Sequence, residues 1–475
     1  MWIRVTWVAS AAVFALTAGI VVSVLLTATD ALNTSAVNFV PPALTALAVF
    51  VVVFGIGAFI QRADLELHKS FAWLVGAASL LFSTVPLWLL SSGRGETAAM
   101  LYRGLHIPQG IERFWDLALV LRSIDCSAVG VDVFAENNGC LTDPAIYGPG
   151  MLWLKYVPFG LVSFSHVILL GVAMIVVSSL ALLWLARQST GLGQIVLLVA
   201  AVGGPWLLLL ERGNIDAALI WVAVVAVIIV RRWPTLLSWS IVALLIWLVG
   251  TWKYYPFAMG ILLIPVLRLR RGWIVFVVWA VACVGFVLLT WSNFKFSMQS
   301  NSNMTEISDS WVLGRVPVVA RMLGSTFPST GTQIGDVVVA LLALCAVAWG
   351  AILGARVINR RPVPAMHPAM LAAAGSAIFL ASVLVGGFGW AYKATFLLLC
   401  VPLLSWLAAR FDRVAVFAGL ITLILVGVCS VVVWNTLLAT LAGIIAASFA
   451  LGLSLALLIS YVFARRGETQ SLVTR

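Results

Sequence analysis

Charged residues are scarce in this chain of 475 residues, of which only 9% are Asp, Glu, Lys or Arg. A soluble domain carries about a quarter charged residues, so the shortage excludes a water-soluble enzyme and a disordered chain. Cysteine is sparse as well, with 6 residues, and the sequence has no CxxC, HExxH or Cys/His cluster. Neither a disulfide scaffold nor a zinc site is therefore indicated.

Apolar residues, in contrast, make up 63% of the chain and gather in long runs. A helix needs about 20 mostly apolar residues to cross a bilayer. Fourteen runs approach this length, at roughly 5–29, 42–60, 71–91, 159–186, 193–210, 215–230, 235–252, 255–268, 273–291, 337–355, 368–388, 393–409, 414–434 and 437–463. The pattern predicts an all-α polytopic membrane protein with about 14 transmembrane helices, within a range of 12 to 14.

The net charge of +11 is explained by orientation in the membrane. With the N-terminus in the cytoplasm, 17 of the 28 Lys and Arg residues fall on the cytoplasmic side. Basic residues are retained on that side of a membrane. The excess charge is therefore a topology signal, and nucleic acid is not expected as a partner. Arg-rich cytoplasmic turns fit the plasma (inner) membrane of a bacterium.

Two predicted outer segments are too long to be simple turns, and they divide the chain. The predicted units are 1–91 with three transmembrane helices, 92–158 as a first outer loop, 159–291 as core helices, 292–336 as a second outer loop, and 337–475 as C-terminal helices. Because cytoplasmic turns are short and long loops carry function, the chemistry is expected on the extracytoplasmic face.

Two of the six cysteines, Cys126 and Cys140, lie in the first outer loop. An oxidising outer compartment permits a disulfide between them, which closes a loop of about 15 residues and contributes roughly 3 kcal/mol. Two free thiols are the alternative. The other cysteines lie inside apolar runs, where a thiol behaves as a small hydrophobic group.

The first outer loop also contains the stretch IERFWDLALVLRSID. In it, apolar residues recur at helical spacing: Phe114, Leu117, Leu121 and Ile124. The stretch 111–124 thus predicts an amphipathic helix that lies along the membrane interface. Glu112 and Asp116 are four residues apart, so they share one side of this helix. The helix either aims a carboxylate at the membrane surface or has a solvated acidic face with an Arg113–Asp116 ion pair.

Three short outer connections combine charge with glycine or tyrosine. They are ERGNID (211–216), TWKYYP (251–256) and GGFGWAYKATF (386–396). Arginine presents a planar fork to phosphate, and lysine acts as a point charge. The alternatives are an exposed hairpin for the first connection and an interfacial aromatic belt for the other two. If the helices form one bundle, Arg212, Lys253 and Lys393 converge opposite a carboxylate from the first outer loop.

The order of these motifs resembles the GT-C superfamily of membrane glycosyltransferases. The matching elements are the WD of the loop helix, YGPG before a helix, ERGN-x-D, K-x-Y-P, and a late Tyr followed by a basic residue, within residues 110–400. The sequence is most similar to the polyprenyl-phosphate-mannose-dependent type, glycosyltransferase family 87. The resemblance implies a GT-C-like bundle and an inverting transfer of mannose or another hexose or pentose. The donor is a polyprenyl-phosphate sugar, and the acceptor is a hydroxyl of a glycan or glycolipid outside the membrane.

The resemblance also implies roles for individual residues. In that family an acid of the first catalytic outer loop is the general base, which corresponds to Asp116; the other candidates for the base are Asp125, Asp132 and Asp143. The implied substrate-binding residues are Asn214, Asp216, Tyr147, Tyr255 and Tyr392.

The chemistry itself requires a proton acceptor for the hydroxyl and positive charge beside the leaving phosphate. Arg212 and Lys253, aided by Lys393, supply that charge, so no metal ion or other cofactor is expected. The rival functions are a lipid-linked oligosaccharide flippase and an O-antigen ligase or polymerase. A flippase is expected to carry charges near the middle of its helices, and here such residues are nearly absent.

Overall fold

A computed structural model gives the fold. It describes residues 67–104, 113–135, 138–141, 145, 147–296, 312–313, 330–360, 366–385, 389–410 and 436–463. The α-helices in these ranges are α1 Leu67–Ser91, α2 Gly95–Gly104, α3 Trp115–Ala128, α4 Val167–Gln188, α5 Gly191–Ala201, α6 Gly204–Glu211, α7 Ala217–Arg232, α8 Leu236–Trp252, α9 Gly272–Leu289, α10 Thr330–Arg360, α11 Met366–Leu380, α12 Val401–Arg410 and α13 Thr436–Phe463.

Several segments between these helices are wound more tightly, as 3-10 helices. They are Pro149–Tyr156, Pro158–Gly160, Phe164–His166, Tyr255–Arg268 and Ala391–Cys400. One π-helical turn, Ala381–Val385, follows α11. A single antiparallel pair of two-residue strands joins Val312–Leu313 to Gly389–Trp390 within the described ranges, so the fold is essentially all-helical.

By helix length and hydropathy this is a multi-pass membrane protein. Six helices in the described ranges are long and apolar enough to cross a bilayer: Phe71–Ser91, Phe164–Gln188, Gly272–Leu289, Val339–Ile358, Met366–Val383 and Ala442–Phe463. A bent pair, Gly193–Ala201 and Gly204–Glu211, raises the number to seven if it counts as one span. The described residues thus give six or seven spans, and the predicted fourteen are not shown.

The comparison of fourteen runs with six or seven spans covers only part of the chain. Three predicted runs, 5–29, 42–60 and 414–434, lie outside the described residues, as does most of the predicted second outer loop. Other runs form apolar helices of 10–17 residues, which are Leu236–Trp252, Tyr255–Arg268 and Tyr392–Ala408. Hydropathy predicts the position and length of an apolar run. It does not predict whether the run forms one α-helix, two shorter helices or a 3-10 helix.

The predicted run 193–210 is divided into two helices, α5 and α6. α5 and α6 meet at an angle of 50°, with Gly203 between them in extended conformation. The short helix α6 is buried along its length, and the indole N–H of Trp206 donates a hydrogen bond to Ser79 Oγ over 2.9 Å. The bend brings the C-terminal end of α6, at Glu211, into the interior, where the motif ERGNID begins.

The helix predicted in the first outer loop is present as α3, but its boundaries differ. It begins at Trp115 and ends at Ala128, because Phe114 adopts the left-handed conformation (φ 52°) and stops the helix on its N-terminal side. The apolar side that was predicted to lie along the membrane interface is packed against the protein, with Leu121 and Ile124 buried. α3 is therefore part of the bundle's packed interior.

Candidate functional site

The turn 211–216 is the structural centre of the candidate site. It ends α6 with a hydrogen-bond pattern typical of glycine: Gly213 N–H donates to Leu210 O and Asn214 N–H donates to Leu209 O. This is the Schellman arrangement, which needs a left-handed residue after the helix, and Gly213 has φ 59°. The glycine of ERGNID thus turns the chain so that residues on both sides of it point toward one centre.

α3 is docked directly on this turn. The backbone N–H of Asp116 donates to Arg212 O over 2.9 Å, and that of Leu117 to the same oxygen over 3.3 Å. These are N–H groups of the first helical turn, which have no partner within their own helix. Because the turn satisfies them, the N-terminal end of α3 is fixed and Asp116 is delivered to the centre of the site.

Asp116 is held by two side chains of the turn. Arg212 binds it with both arms of its fork, with Nε donating to Oδ2 over 3.0 Å and Nη2 to Oδ1 over 2.5 Å. The side-chain amide of Asn214 also donates to Asp116 Oδ2. The carboxylate predicted as the base is therefore paired with Arg212, which belongs to another motif.

A second carboxylate, Asp216, organises the lysine of K-x-Y-P. Lys253 Nζ lies 2.6 Å from Asp216 Oδ1, and the Tyr255 hydroxyl donates to the same oxygen over 2.5 Å. Lys253 Nζ also lies 3.3 Å from Asn214 Oδ1. The other oxygen of Asp216, Oδ2, is buried without a hydrogen-bond partner among the described residues.

Aromatic rings complete the arrangement. Lys253 Nζ lies 5.1 Å from the centre of the Tyr147 ring, and Lys393 Nζ lies 5.0 Å from that of Tyr255, within the range of cation–π attraction. Asn214 Nδ2 donates to the Tyr392 hydroxyl over 2.8 Å. The nine side chains so connected are called the charged cluster below: Asp116, Tyr147, Arg212, Asn214, Asp216, Lys253, Tyr255, Tyr392 and Lys393.

Close backbone approach explains the two glycines at the start of the 3-10 helix Pro149–Tyr156, Gly148 just before it and Gly150 in its first turn. Gly148 N–H donates to Trp252 O over 2.6 Å, and a Cβ added at Gly150 would stand 2.1 Å from Thr251 Oγ1. A larger residue at either glycine would separate the YGPG stretch from the end of α8. The two glycines thus keep Tyr147 beside Lys253.

The charged cluster is nearly closed to water. The side chains of Asp116, Arg212 and Lys253 are 6%, 13% and 16% exposed. Burial opposes the charged form of Arg212, but the negative charge of Asp116 and its hydrogen bonds outweigh burial and raise the pKa of the guanidinium. Burial, followed by the charges of Asp116 and Asp216, raises the pKa of Tyr147 well above its usual value, so its hydroxyl stays protonated.

An apolar cavity of about 270 Å³ lies beside the charged cluster. Leu117, Ile215 and Trp252 line it, and each is a chain neighbour of a charged cluster residue. From the other side it is lined by α4, including Met174 and the exposed Val177. The cavity lining is apolar throughout, and no side chain of the charged cluster contributes to it.

The remaining predictions for the first outer loop have mixed outcomes. Cys126 and Cys140 form a disulfide, as the sequence predicted. Of the alternative bases, Asp125 accepts hydrogen bonds from the Phe164 N–H (2.9 Å) and the Ser163 hydroxyl (3.2 Å), so it caps the 3-10 turn Phe164–His166. Asp132 is exposed and accepts from Phe134 N–H, and Asp143 lies outside the described residues.

The sequence predicted the polar side chains of the site. It did not predict the apolar side chains that line the cavity or the role of Thr251. The apolar cavity residues carry no signal in a chain that is apolar almost throughout. Thr251 was also missed, although its two glycine partners, 148 and 150, mark a place of close approach. Among the described residues, no three His, Cys, Asp or Glu side chains gather as a metal site would require.

The class that the fold defines is a multi-pass helical membrane protein with a buried charged cluster beside an apolar cavity. Comparison with protein-family models, with curated proteins and with solved structures finds no match to this chain.

Proposed function

We propose that this protein is a glycosyltransferase of the GT-C type, with a bundle of about 14 transmembrane helices, in the plasma membrane of a bacterium. It moves a sugar, such as mannose or another hexose or pentose, from a polyprenyl-phosphate donor to an acceptor hydroxyl. The acceptor is a glycan or glycolipid of the cell envelope, and the reaction takes place on the extracytoplasmic face. Asp116 is the general base of an inverting transfer.

The observation that carries the proposal is the convergence of Asp116 with Arg212 and Lys253 in one cluster beside an apolar cavity. Three basic side chains, Arg212, Lys253 and Lys393, lie together in this cluster, which is nearly closed to water. Charged groups attract an ion of opposite sign more strongly where water is excluded. The phosphate of a lipid donor has the sign that these cations favour, and an apolar cavity lies nearby for part of its hydrocarbon chain.

The reaction balances within these groups. The acceptor hydroxyl gives its proton to Asp116, and its oxygen forms a bond to the anomeric carbon of the sugar. The bond from that carbon to the phosphate oxygen breaks, and its electron pair stays on the phosphate. Arg212 and Lys253 stabilise this negative charge, which is where preorganised cations lower a barrier most.

The resting geometry indicates which oxygen of Asp116 can act. Arg212 engages both oxygens, at 2.5 and 3.0 Å, and Asn214 also donates to Oδ2, so Oδ1 is the oxygen that keeps a lone pair for the acceptor proton. The Arg212 fork also matches a donor phosphate in bidentate geometry. We therefore expect the bound donor to draw Arg212 toward the phosphate while Asp116 faces the acceptor.

The test is a transfer assay in lipid nanodiscs with a labelled short-chain polyprenyl-phosphate mannose and extracted envelope glycolipids. Asp116→Asn should lower transfer by about 100-fold or more, the usual contribution of a general base. Asp132→Asn is the matched control and should keep wild-type transfer, because Asp132 is exposed and accepts a hydrogen bond only from Phe134 N–H in its own turn.

Donor binding is measured separately, by titration with geranyl phosphate. Arg212→Ala and Lys253→Ala should weaken this binding more than they weaken that of the acceptor. Full transfer by Asp116→Asn would remove the base assignment. A wild-type protein that moves the lipid-linked sugar across the bilayer without transferring it would instead be a flippase.

A further inference from the structure

Asn214 uses every hydrogen-bonding position of its side chain. An asparagine amide offers two N–H donors and two lone pairs on its oxygen. Nδ2 donates to Asp116 Oδ2 and to the Tyr392 hydroxyl, while Oδ1 accepts from Asp216 N–H (2.9 Å) and from Lys253 Nζ (3.3 Å). The side chain has no capacity left for a sugar hydroxyl or a phosphate oxygen.

The orientation of this amide is fixed by the charges around it. A flipped amide would turn its oxygen toward the carboxylate of Asp116 and its N–H groups toward the ammonium group of Lys253, and both contacts would be repulsive. Asn214 is also 1% exposed, so a substrate has no path to it in this arrangement. An amide is needed because it presents a donor to the acid and an acceptor to the cation from one planar group.

We propose that Asn214 is a positioning residue, not the substrate-binding residue that the sequence predicted. It sets the position of Asp116 and of Lys253 at the same time, and so keeps the proton acceptor and the phosphate-binding cation in register. This inference rests on the proposed function, because it assigns Asn214 a role in that same reaction.

The variant Asn214→Asp should reveal this positioning role through the pH dependence of kcat. When the new carboxyl is ionised it still accepts from Lys253, but it repels Asp116. When it is protonated it donates to Asp116 as the amide does. The added proton is shared by the pair of carboxyls at 116 and 214, and on either of them it restores a hydrogen bond between the two side chains.

Other titratable groups surround this position and are unchanged by the substitution. The charged and titratable side chains joined to Asn214 or its partners are Asp116, Tyr147, Arg212, Asp216, Lys253, Tyr255, Tyr392 and Lys393. Because wild type carries the same groups, the ratio of variant to wild-type activity isolates the effect of residue 214.

The experiment measures kcat for transfer by wild type and Asn214→Asp across the pH range, in nanodiscs. At neutral pH the variant should be about 100-fold slower, the usual effect of a small misplacement at a reacting centre. The ratio of variant to wild type should rise at least about tenfold as the pH falls to about 5, where the coupled carboxyl regains its proton.

Two controls distinguish positioning from general damage. Asn214→Leu has a similar shape and no hydrogen bonds, so it should be slow at every pH. Asn138→Asp makes the same change in the loop 126–140, where Asn138 Oδ1 accepts from Cys140 and Leu141 N–H. Its ratio to wild type should stay near one and constant with pH.

The possible outcomes distinguish the positioning role of Asn214 from the proposed function of the protein. If wild type transfers sugar and the Asn214→Asp ratio is constant with pH, the positioning role is wrong and the proposed function stands. If wild type transfers none, the proposed function fails first. If Asn214→Asp does not fold, Tyr392→Phe replaces it, since Tyr392 contacts the amide only on its Nδ2 side. This variant should lower kcat about tenfold with unchanged geranyl phosphate affinity, and equal loss of affinity would overturn the inference.

Discussion

Gly213 has two tasks that no other residue type can combine. Its φ of 59° ends α6, and its missing side chain leaves room for α3. A Cβ at this position would stand 2.9 Å from Leu117 Cβ and 3.0 Å from Phe114 Cβ. Because Leu117 follows Asp116 in the chain, crowding at Gly213 would also displace Asp116, the proposed base.

The pair Gly213→Ala and Gly139→Ala tests this coupling. Both glycines are left-handed, with φ of 59° and 74°, so each substitution costs roughly 1–2 kcal/mol of conformational strain. Only Gly213→Ala also has to displace α3, because no atom lies within 4 Å of the Cβ built at Gly139. We expect Gly213→Ala to melt at a lower temperature than Gly139→Ala and to lose transfer activity, as measured by thermal unfolding and the nanodisc assay. Equal effects of the two variants would contradict the docking role.

Individual site residues were largely predictable because charge stands out in this chain. The sequence places three basic residues, Arg212, Lys253 and Lys393, in tight outer turns. The structure brings them into one cluster with Asp116. Their pairing was not predictable. Asp116 and Arg212 are 96 residues apart in sequence, and the nearby Arg113 is an equally good partner by helical spacing.

At the scale of elements, a 3-10 helix is longer than an α-helix of the same number of residues, so a short apolar run can cover more of the bilayer. The 14 residues of Tyr255–Arg268 would extend about 21 Å as an α-helix and about 28 Å as a 3-10 helix, which approaches the thickness of a bilayer core. Side-chain pattern predicted this segment to its last residue. The segment contains Pro265 in its interior, which cannot donate a backbone hydrogen bond and disfavours a regular α-helix. Hydropathy does not report this change of winding.

The helices α10 (Thr330–Arg360) and α13 (Thr436–Phe463) pack through glycine at close distance. A Cβ at Gly452 would stand 1.9 Å from Val347 O, and one at Gly350 would stand 2.1 Å from Phe449 O. Backbones approach in this way where small residues line a membrane helix interface. Gly285 in α9, in contrast, has no atom within 4 Å of its Cβ position.

Alanine should therefore destabilise the protein at Gly452 and stabilise it at Gly285. Gly452→Ala forces two backbones apart and should lower the free energy of unfolding by about 1–3 kcal/mol. Gly285→Ala gains helix propensity without a clash and should raise it by up to about 1 kcal/mol. Thermal unfolding in detergent measures both. A Gly452→Ala protein as stable as Gly285→Ala would show that the two helices are not packed as described.

At the scale of the molecule, basic groups and the charged cluster lie at opposite ends of the same helices. α7 runs from Ala217, beside Asp216, to Arg232, and Arg231 donates to Gln188 at the end of α4. The predicted orientation, in which these arginines lie in the cytoplasm, stays a prediction. The number of crossings was less predictable, because hydropathy does not report bends such as the one at Gly203.

Cysteine labelling in intact cells tests this orientation. In a background with Cys283, Cys345, Cys400 and Cys429 replaced by alanine, Val129→Cys should react with a membrane-impermeant maleimide. Trp233→Cys should react only after the cells are permeabilised. Both positions are exposed on the protein, at 78% and 58%, so the protein itself does not shield either thiol from the reagent. Labelling of both residues from one side would overturn the topology.

The near exclusion of water from the charged cluster also determines how it responds to dissolved salt. Mobile ions screen charges over a distance of about 8 Å at physiological ionic strength, but they do so through water. They cannot enter between Asp116 Oδ1 and Arg212 Nη2, which are 2.5 Å apart. Raising the ionic strength should therefore leave the shape of the turn 211–216 unchanged, and it should slow only the arrival of the proposed lipid phosphate from outside.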